Sequence, residues 1–215
     1  MSKTLHLDIP RIYESLDEVQ KNFRVINPQL MVLREEFTKK LKDNMVSAYT
    51  HLDSVIGMKP FSGEGLTHML ELNHLVLCGS DLETRTEYQR HIGETRKKFS
   101  ALVPPLQKWY HKHRDDNPVK VAAEMYVGIL SQPQLYIEGN HRTGSLVASW
   151  ILMNGGYPPF VLNSKNAVAY FNPSSEIKFS DKRRFGDKLK LPKYKKRFKH
   201  FLEEMTSKKY LLKKD

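Results

Sequence analysis

Cysteine is almost absent from this chain, since Cys78 is the only one among 215 residues. A single cysteine cannot form an intrachain disulfide, which excludes the small secreted domains that depend on several disulfides. Cys78 follows the apolar run Leu75–Leu77 and is predicted to be a small buried hydrophobe rather than a nucleophile. The simplest expectation is a protein of the reducing cytoplasm.

Long apolar runs are also missing. No stretch approaches the ~18 apolar residues of a membrane-spanning helix. The first residues show no basic segment followed by an apolar one, which a cleaved secretory signal would need. We therefore expect no transmembrane segment. A cytoplasmic protein and an effector exported without a cleaved signal would share this character.

Two further absences bear on fold and chemistry. There is no Gly-x-Ser-x-Gly turn for a serine hydrolase, and nowhere do polar and apolar residues alternate long enough to demand a sheet. An all-α fold is therefore predicted, with helices opening at Asn27–Pro28 and Val103–Pro105. The first of these would carry apolar residues on one face: Leu30, Leu33, Phe37, Leu41 and Met45. We expect a helical segment over 1–62, a core over 63–180 and a basic amphipathic helix over 181–215, packed on the core or appended to it.

Negative charge is scarce near the carboxyl end. The chain has a formal net charge of +11, and the segment 182–215 holds 14 Lys or Arg against 4 Asp or Glu. Basic residues there alternate with apolar ones at helical spacing, which predicts a basic amphipathic helix. It could dock on the core with a solvated charged face, or attract an anionic membrane or nucleic acid.

The most informative stretch that is present runs from Glu138 to Gly144, between two apolar helical segments. Gly139 permits a left-handed backbone, so successive N–H groups can converge on an anion at the start of the next helix. Arg142 offers a planar fork that fits phosphoryl oxygens, and the Glu138 carboxylate suits a hard divalent cation. The alternatives are an ordinary turn between helices and a Glu138–Arg142 ion pair.

The segments on both sides are predicted to hold this loop rigidly. Upstream, Asn117–Pro118 starts an apolar helix that Pro133 ends. Downstream, the segment from Leu146 to Met153 is apolar on nearly every side, which is typical of a helix in the middle of a fold. Asn154–Gly156 should stop that helix.

From Gln134 to Phe160 the sequence resembles the signature of the Fic (Fic/Doc, or Fido) family, His-x-Phe-x-Asp/Glu-Gly-Asn-Gly-Arg-x-x-Arg. The family pattern is followed by an apolar helix and a Gly-Tyr-Pro-Pro ending, which is matched here by Gly156–Pro159. The resemblance implies a Fic-like helical bundle that transfers a nucleotide phosphate, usually AMP from ATP, to a Tyr, Ser or Thr hydroxyl of a target protein. The anion-binding loop would then lie at the amino end of a central buried helix.

The resemblance also implies roles for individual residues. Gln134, Asn140 and Arg142 would occupy catalytic positions, and Glu138 would bind Mg²⁺. Residues implied to contact the nucleotide phosphates are Gly139, Asn140, His141, Arg142, Thr143 and Gly144. Glu64 resembles the inhibitory glutamate of some family members, although Pro60 replaces the Ser or Thr of that motif. Its alternative role is to start a helix.

Three departures from the family pattern make us expect impaired or altered catalysis. Gln134 stands where the family has its catalytic His, and an amide lacks the basicity to take a proton. His141 replaces a glycine and is either a displaced base or a structural or phosphate-contacting residue. Ser145 replaces the second Arg, so one phosphate-binding fork is missing. If one residue is inserted, Gln132 rather than Gln134 takes the vacant position. The alternative function is a non-catalytic nucleotide-binding or partner-binding regulatory protein.

Overall fold

A computed structural model describes residues 5–213 and confirms an all-α fold, with no strand among them beyond two isolated bridges. The first four helices are α1 (Ile9–Ile26), α2 (Lys39–Ser54), α3 (Gly63–Cys78) and α4 (Leu82–Glu87). Next come α5 (Gln89–His113), α6 (Pro118–Leu130) and α7 (Asn140–Asn154). The last are α8 (Ala167–Phe179), α9 (Phe185–Lys188) and α10 (Leu191–Met205).

Helix α7 lies at the centre of the fold. Every residue from Thr143 to Met153 is buried, and the helix contacts α2, α3 and α6. The Trp150 side chain is fully enclosed. A helix that is apolar on all sides has no polar face to turn to water, so the surrounding helices cover it. The prediction of a central buried helix ending at Asn154 is confirmed.

The preceding helix begins and ends as its sequence predicts. Asn117 caps α6, because its Oδ1 accepts hydrogen bonds from the Val119 and Lys120 N–H groups at 3.0 and 3.1 Å. Pro118 occupies the first turn, and the helix ends at Leu130, shortly before Pro133.

One apolar core joins the three predicted segments. Helices α1 and α2 of the first segment pack together, and α2 contacts both α3 and α7 of the second. In the third segment, α10 packs on α6 and α8, and Phe198 stacks on Tyr126 with ring centroids 3.9 Å apart. The basic helix is therefore packed on the core through its apolar face.

The predicted helix from Asn27 is wrong. Only Asn27–Gln29 forms a short 3₁₀ turn, and no helix follows until Lys39. The Asn27 side chain both donates to the Arg34 carbonyl, at 2.9 Å, and accepts from the Arg34 N–H, at 2.8 Å. Thr38 then caps α2 through the Leu41 N–H at 3.1 Å. These side-chain bonds to the backbone replace the helical ones over residues 30–38.

The prediction that a helix opens at Val103–Pro105 is also wrong, because α5 already begins at Gln89 and contains both Pro104 and Pro105. Each proline removes one backbone N–H, but the adjacent pair lies mid-helix on an exposed face. Packing of Phe99 and Val103 into the core supports the continuous helix.

Candidate anion-binding site

The loop before α7 is shaped by a glycine. Gly139 adopts a left-handed conformation with φ of 72° and ψ of 7°. A Cβ atom at this position would lie 3.0 Å from Asn73 Nδ2 and 3.1 Å from Val76 Cγ2, both on α3. The backbone therefore turns and approaches α3 closely at the same residue, and only glycine meets both demands.

Two asparagines fix the loop. Asn140 Oδ1 accepts from the Tyr136 N–H at 2.9 Å, and Asn140 Nδ2 donates to the Tyr136 carbonyl at 3.0 Å. From α3, Asn73 Nδ2 donates to the Glu138 carbonyl and to Thr143 Oγ1, each at 3.0 Å. The Asn140 side chain thus organises the loop, and only its backbone N–H remains for a ligand.

The amide groups at the start of α7 are available. Within residues 5–213, no hydrogen-bond acceptor lies in range of the N–H groups of Asn140, His141 or Arg142. The first bonded amide is that of Thr143, which donates to the Gly139 carbonyl at 2.9 Å. Unpaired amides and the positive end of the helix dipole together favour an anion at this point.

These residues open onto a cavity of about 450 Å³. One side is formed by the loop and the start of α7, including Gln134, Ser145 and the run Glu138–Arg142. The rest of the lining is mostly apolar and partly aromatic, with Leu16, Phe23, Phe37, Met45, Tyr49 and Phe160. The volume falls in the usual range for small-molecule sites, which are mostly apolar with a few placed polar groups.

Arg142 lines this cavity as a cation without a counter-ion. Its Nη1 donates to the Val76 carbonyl of α3, and no described carboxylate lies within 4.0 Å of the guanidinium. Burial lowers the pKa of Arg142 from its usual value, and the more distant charges of Glu138 and Glu35 oppose this shift. The predicted alternative of a direct Glu138–Arg142 ion pair is therefore absent from the structure.

The His141 imidazole is neutral and has no hydrogen-bond partner. Both ring nitrogens are buried and unpaired within the described chain. Burial, followed by the positive charges of Arg34, Lys178 and Arg142, lowers the pKa of the His141 imidazole well below its usual range. A group with so low a pKa is a weak base, which argues against the predicted alternative of a displaced general base.

The two glutamines that could align with the family's catalytic histidine, Gln134 and Gln132, lie in different places. Gln134 lines the cavity and donates from Nε2 to the Leu130 carbonyl at 3.1 Å. Gln132 does not line the cavity, and its amide points to the Lys178 carbonyl at 3.3 Å. Of the two registers, the one with Gln134 places the residue beside the loop.

Three other predicted residues, and Ser145 in the family's second arginine position, are less favourably placed. Thr143 and Gly144 do not line the cavity, because the Thr143 hydroxyl bonds Asn73 and Gly144 packs against Tyr126. Ser145 borders the cavity, but its hydroxyl donates to the Arg142 carbonyl at 2.8 Å. Glu138 is exposed at the rim, and no group of three or more metal-ligating side chains occurs among the described residues.

Glu64 lies far from the loop. It is exposed in the first turn of α3, whereas the loop packs on the last turns of that helix, at Asn73 and Val76. Twelve residues at 1.5 Å each separate Glu64 from Val76, a distance of ~18 Å along the helix. This placement argues against an inhibitory contact and agrees with the alternative role of a helix-start residue.

Sequence reasoning missed two cations of the site. Arg34, from the segment before α2, and Lys178, from the end of α8, both line the cavity. Each is separated from the loop by tens of residues, and Arg34 lies in a segment whose apolar spacing predicted a helix. No local pattern in the sequence connects either residue to Arg142.

The basic carboxyl-terminal helix turns many of its charges toward acidic neighbours. Lys195 pairs with Glu124 at 2.6 Å, and Arg197 pairs with Glu176 at 2.9 Å. These contacts join α10 to α6 and α8. An anionic membrane or nucleic acid as partner of this segment stays a prediction.

No described helix combines the length and apolar character needed to cross a bilayer. No protein-family model matches the chain, and no solved structure matches it significantly. The Fic resemblance therefore stays a prediction, supported only by the residues that carry it.

Proposed function

We propose that this protein is a Fic-like protein that binds the phosphate group of a nucleotide or related phosphate ester at the amino end of α7. The observation that carries the proposal is the set of unpaired N–H groups at Asn140, His141 and Arg142, which border a cavity together with cations that have no counter-ion. Anions bind where backbone donors, a helix dipole and a guanidinium converge.

The described residues fit a phosphate better than they fit a metal ion alone. Glu138 would supply one carboxylate to Mg²⁺, and the remaining ligands would have to be phosphate oxygens and water. That is a common way for proteins to hold Mg²⁺. We therefore expect Mg²⁺ to bind only together with a phosphorylated ligand.

Catalysis by this site is the second candidate, because Gln134 lines the same cavity as Arg142 and Glu138. By the family resemblance, this is the position of the residue that deprotonates the target hydroxyl in AMP transfer. A glutamine amide cannot do so, and a missing general base typically lowers a rate by about 10²–10⁴-fold. Binding without efficient transfer is the function that the geometry favours.

Calorimetric titration with ATP, ADP, AMP and inorganic phosphate, each with and without Mg²⁺, tests the binding proposal. At least one phosphate compound should bind, and Arg142→Met should weaken that binding by about 10- to 100-fold, the usual range for a charged hydrogen bond. Arg96→Met is the matched control, because Arg96 is exposed and does not line the cavity. Absence of binding by every compound would refute the proposal.

Labelled ATP and candidate target proteins separate the second candidate from the first. Modification that Arg142→Met abolishes would indicate a transferase. If only Gln134→His modifies a target, the pocket holds the donor but lacks the base. If neither protein modifies any target while ATP binds, the binding function stands alone.

A further inference from the structure

The segment 31–36, which we call the strap, lies between the 3₁₀ turn and α2 and borders the cavity. Its Val32 and Leu33 are exposed and line the cavity. The strap is fastened at two points: the Met31 N–H donates to Asn172 Oδ1 at 2.8 Å, and the Arg34 backbone is bonded in both directions by Asn27. These bonds fix the place from which the Arg34 side chain extends.

The Arg34 side chain lines the cavity, and not all of its guanidinium N–H groups are hydrogen-bonded. Its Nη2 donates to Ser175 Oγ at 3.0 Å, and its Cζ lies 4.6 Å from the centroid of the Phe171 ring. Its Nε is buried and has no partner in the described chain, and no described carboxylate lies within 4.0 Å. A partly buried guanidinium without a counter-ion is unusual, because removing a charge from water has a cost that a partner normally offsets.

His141 adds a second unsatisfied group close by. A neutral imidazole carries one N–H donor and one acceptor, and here both nitrogens are buried and unpaired. A buried polar group without a partner is costly, because it has lost its bonds to water and gained none in return. Such groups are explained when a bound molecule supplies the missing partners.

Ser145, which stands in the family's second arginine position, cannot supply a guanidinium to a phosphate. Ser145 is buried, and its hydroxyl is bonded to the Arg142 carbonyl. Arg34 lies outside the loop, but it brings to the cavity the planar guanidinium with paired N–H donors that Ser145 lacks.

We propose that Arg34 is the second phosphate-binding arginine of this site and that Arg34, Arg142 and His141 together hold a phosphate monoester with an apolar or aromatic substituent. The inference rests on the proposed function of the cavity. The substituent follows from the apolar part of the cavity lining, where Phe23, Phe37 and Phe160 offer no charge to further phosphates. A single phosphate therefore suits the site better than a triphosphate chain.

Titrations of Arg34→Met and Arg34→Lys with AMP, phenyl phosphate, inorganic phosphate and ATP test this inference. We expect the wild type to bind both monoesters more tightly than inorganic phosphate. Arg34→Met should weaken monoester binding by about 10- to 100-fold, and Arg34→Lys by less, since it keeps the charge and loses the fork. Arg96→Met should bind as the wild type does.

The outcomes separate this inference from the function on which it rests. If the wild type binds none of the four compounds, the proposed function fails. If the wild type binds and Arg34→Met binds equally well, only the assignment of Arg34 fails. If ATP binds more than tenfold tighter than AMP, the monoester class is wrong.

Nitrogen-detected NMR of the imidazole rings provides a readout that does not depend on an Arg34 variant folding. Adding phenyl phosphate to the wild type should shift the His141 nitrogen resonances, which a His141→Gln variant identifies by their loss. Unchanged His141 resonances at saturating phenyl phosphate would overturn the assignment of this residue to the site.

Discussion

Replacing Gly139 by alanine should destabilise the protein more than the same change at any uncrowded glycine. A non-glycine residue in the left-handed region costs about 1–2 kcal/mol. At Gly139 the new methyl group would also lie 3.0–3.1 Å from Asn73 and Val76. Crowding of a packed site adds about 1–3 kcal/mol, so we expect a total loss of about 2–5 kcal/mol in the free energy of unfolding.

Two other glycines separate the contributions. Gly156 has a φ of 80° with no atom within 4 Å of an added Cβ, so Gly156→Ala should show the backbone strain alone. Gly93 lies in α5 with open space around it, and Gly93→Ala should stabilise the protein by about 0.5–1 kcal/mol through helix propensity. The three variants share one chemical change and differ only in backbone and surroundings.

Urea unfolding followed by circular dichroism measures all three. A loss of about 2–5 kcal/mol corresponds to a fall in Tm of about 4–20 °C for a chain of this size. Equal losses in the free energy of unfolding for Gly139→Ala and Gly156→Ala would show that a methyl group at position 139 is not crowded by α3. An unchanged stability for Gly139→Ala would refute the left-handed loop itself, and with it the convergence of amides at the start of α7.

Two further predictions concern the elements that carry the site. Asn140→Ala removes both side-chain bonds to the Tyr136 backbone. It should therefore lower the free energy of unfolding by about 2–4 kcal/mol and also weaken phosphate binding. A side chain that only contacted the ligand would affect binding alone. At Glu71, burial raises the pKa, but the His74 ring, 3.8 Å away, and hydrogen bonds from Arg85 outweigh it and lower the pKa to about 2. The resulting stability is present above the unfolded pKa of ~4.3 and is lost as the pH falls toward 2. After allowance for solvent screening, the stability difference between wild type and Glu71→Gln should shrink by about 1 kcal/mol from pH 6 to pH 3 in urea titrations; a constant difference would contradict the shift.

The helices beside the loop could be predicted because their signals are local. Asn117–Pro118 caps and starts α6 within a few residues, and the run from Leu146 to Met153 allows only a buried helix. At Asn27 the same reasoning failed. Apolar spacing favoured a helix there, but the Asn27 side chain bonds the backbone of Arg34, and that tertiary detail has no counterpart in the spacing of apolar residues.

The cavity itself could be predicted only in part. The resemblance places Asn140 and Arg142 at the loop, but it assigns the Asn140 side chain to a ligand, whereas the fold uses it to hold Tyr136. Arg34 and Lys178 reach the same place from distant parts of the chain. Bringing them together depends on the packing of α1, α2 and α8, which no single segment of sequence specifies.

The basic residues of α10 and the arginines of the cavity differ in whether they are paired with carboxylates. Along α10, Lys195, Arg197 and Lys199 each contact a glutamate within 3 Å, so an external anion there would have to compete with a protein carboxylate. Arg34 and Arg142 have no such carboxylate although they are more buried, and burial raises the cost of leaving a charge unpaired. An anion gains most where charge is buried and uncompensated. We therefore expect the tightest anion binding in the cavity at the start of α7 rather than at the more basic tail. Charge-neutralising substitutions in α10 should leave AMP affinity within about twofold of wild type at physiological salt. At that salt concentration, surface charges are screened beyond ~8 Å.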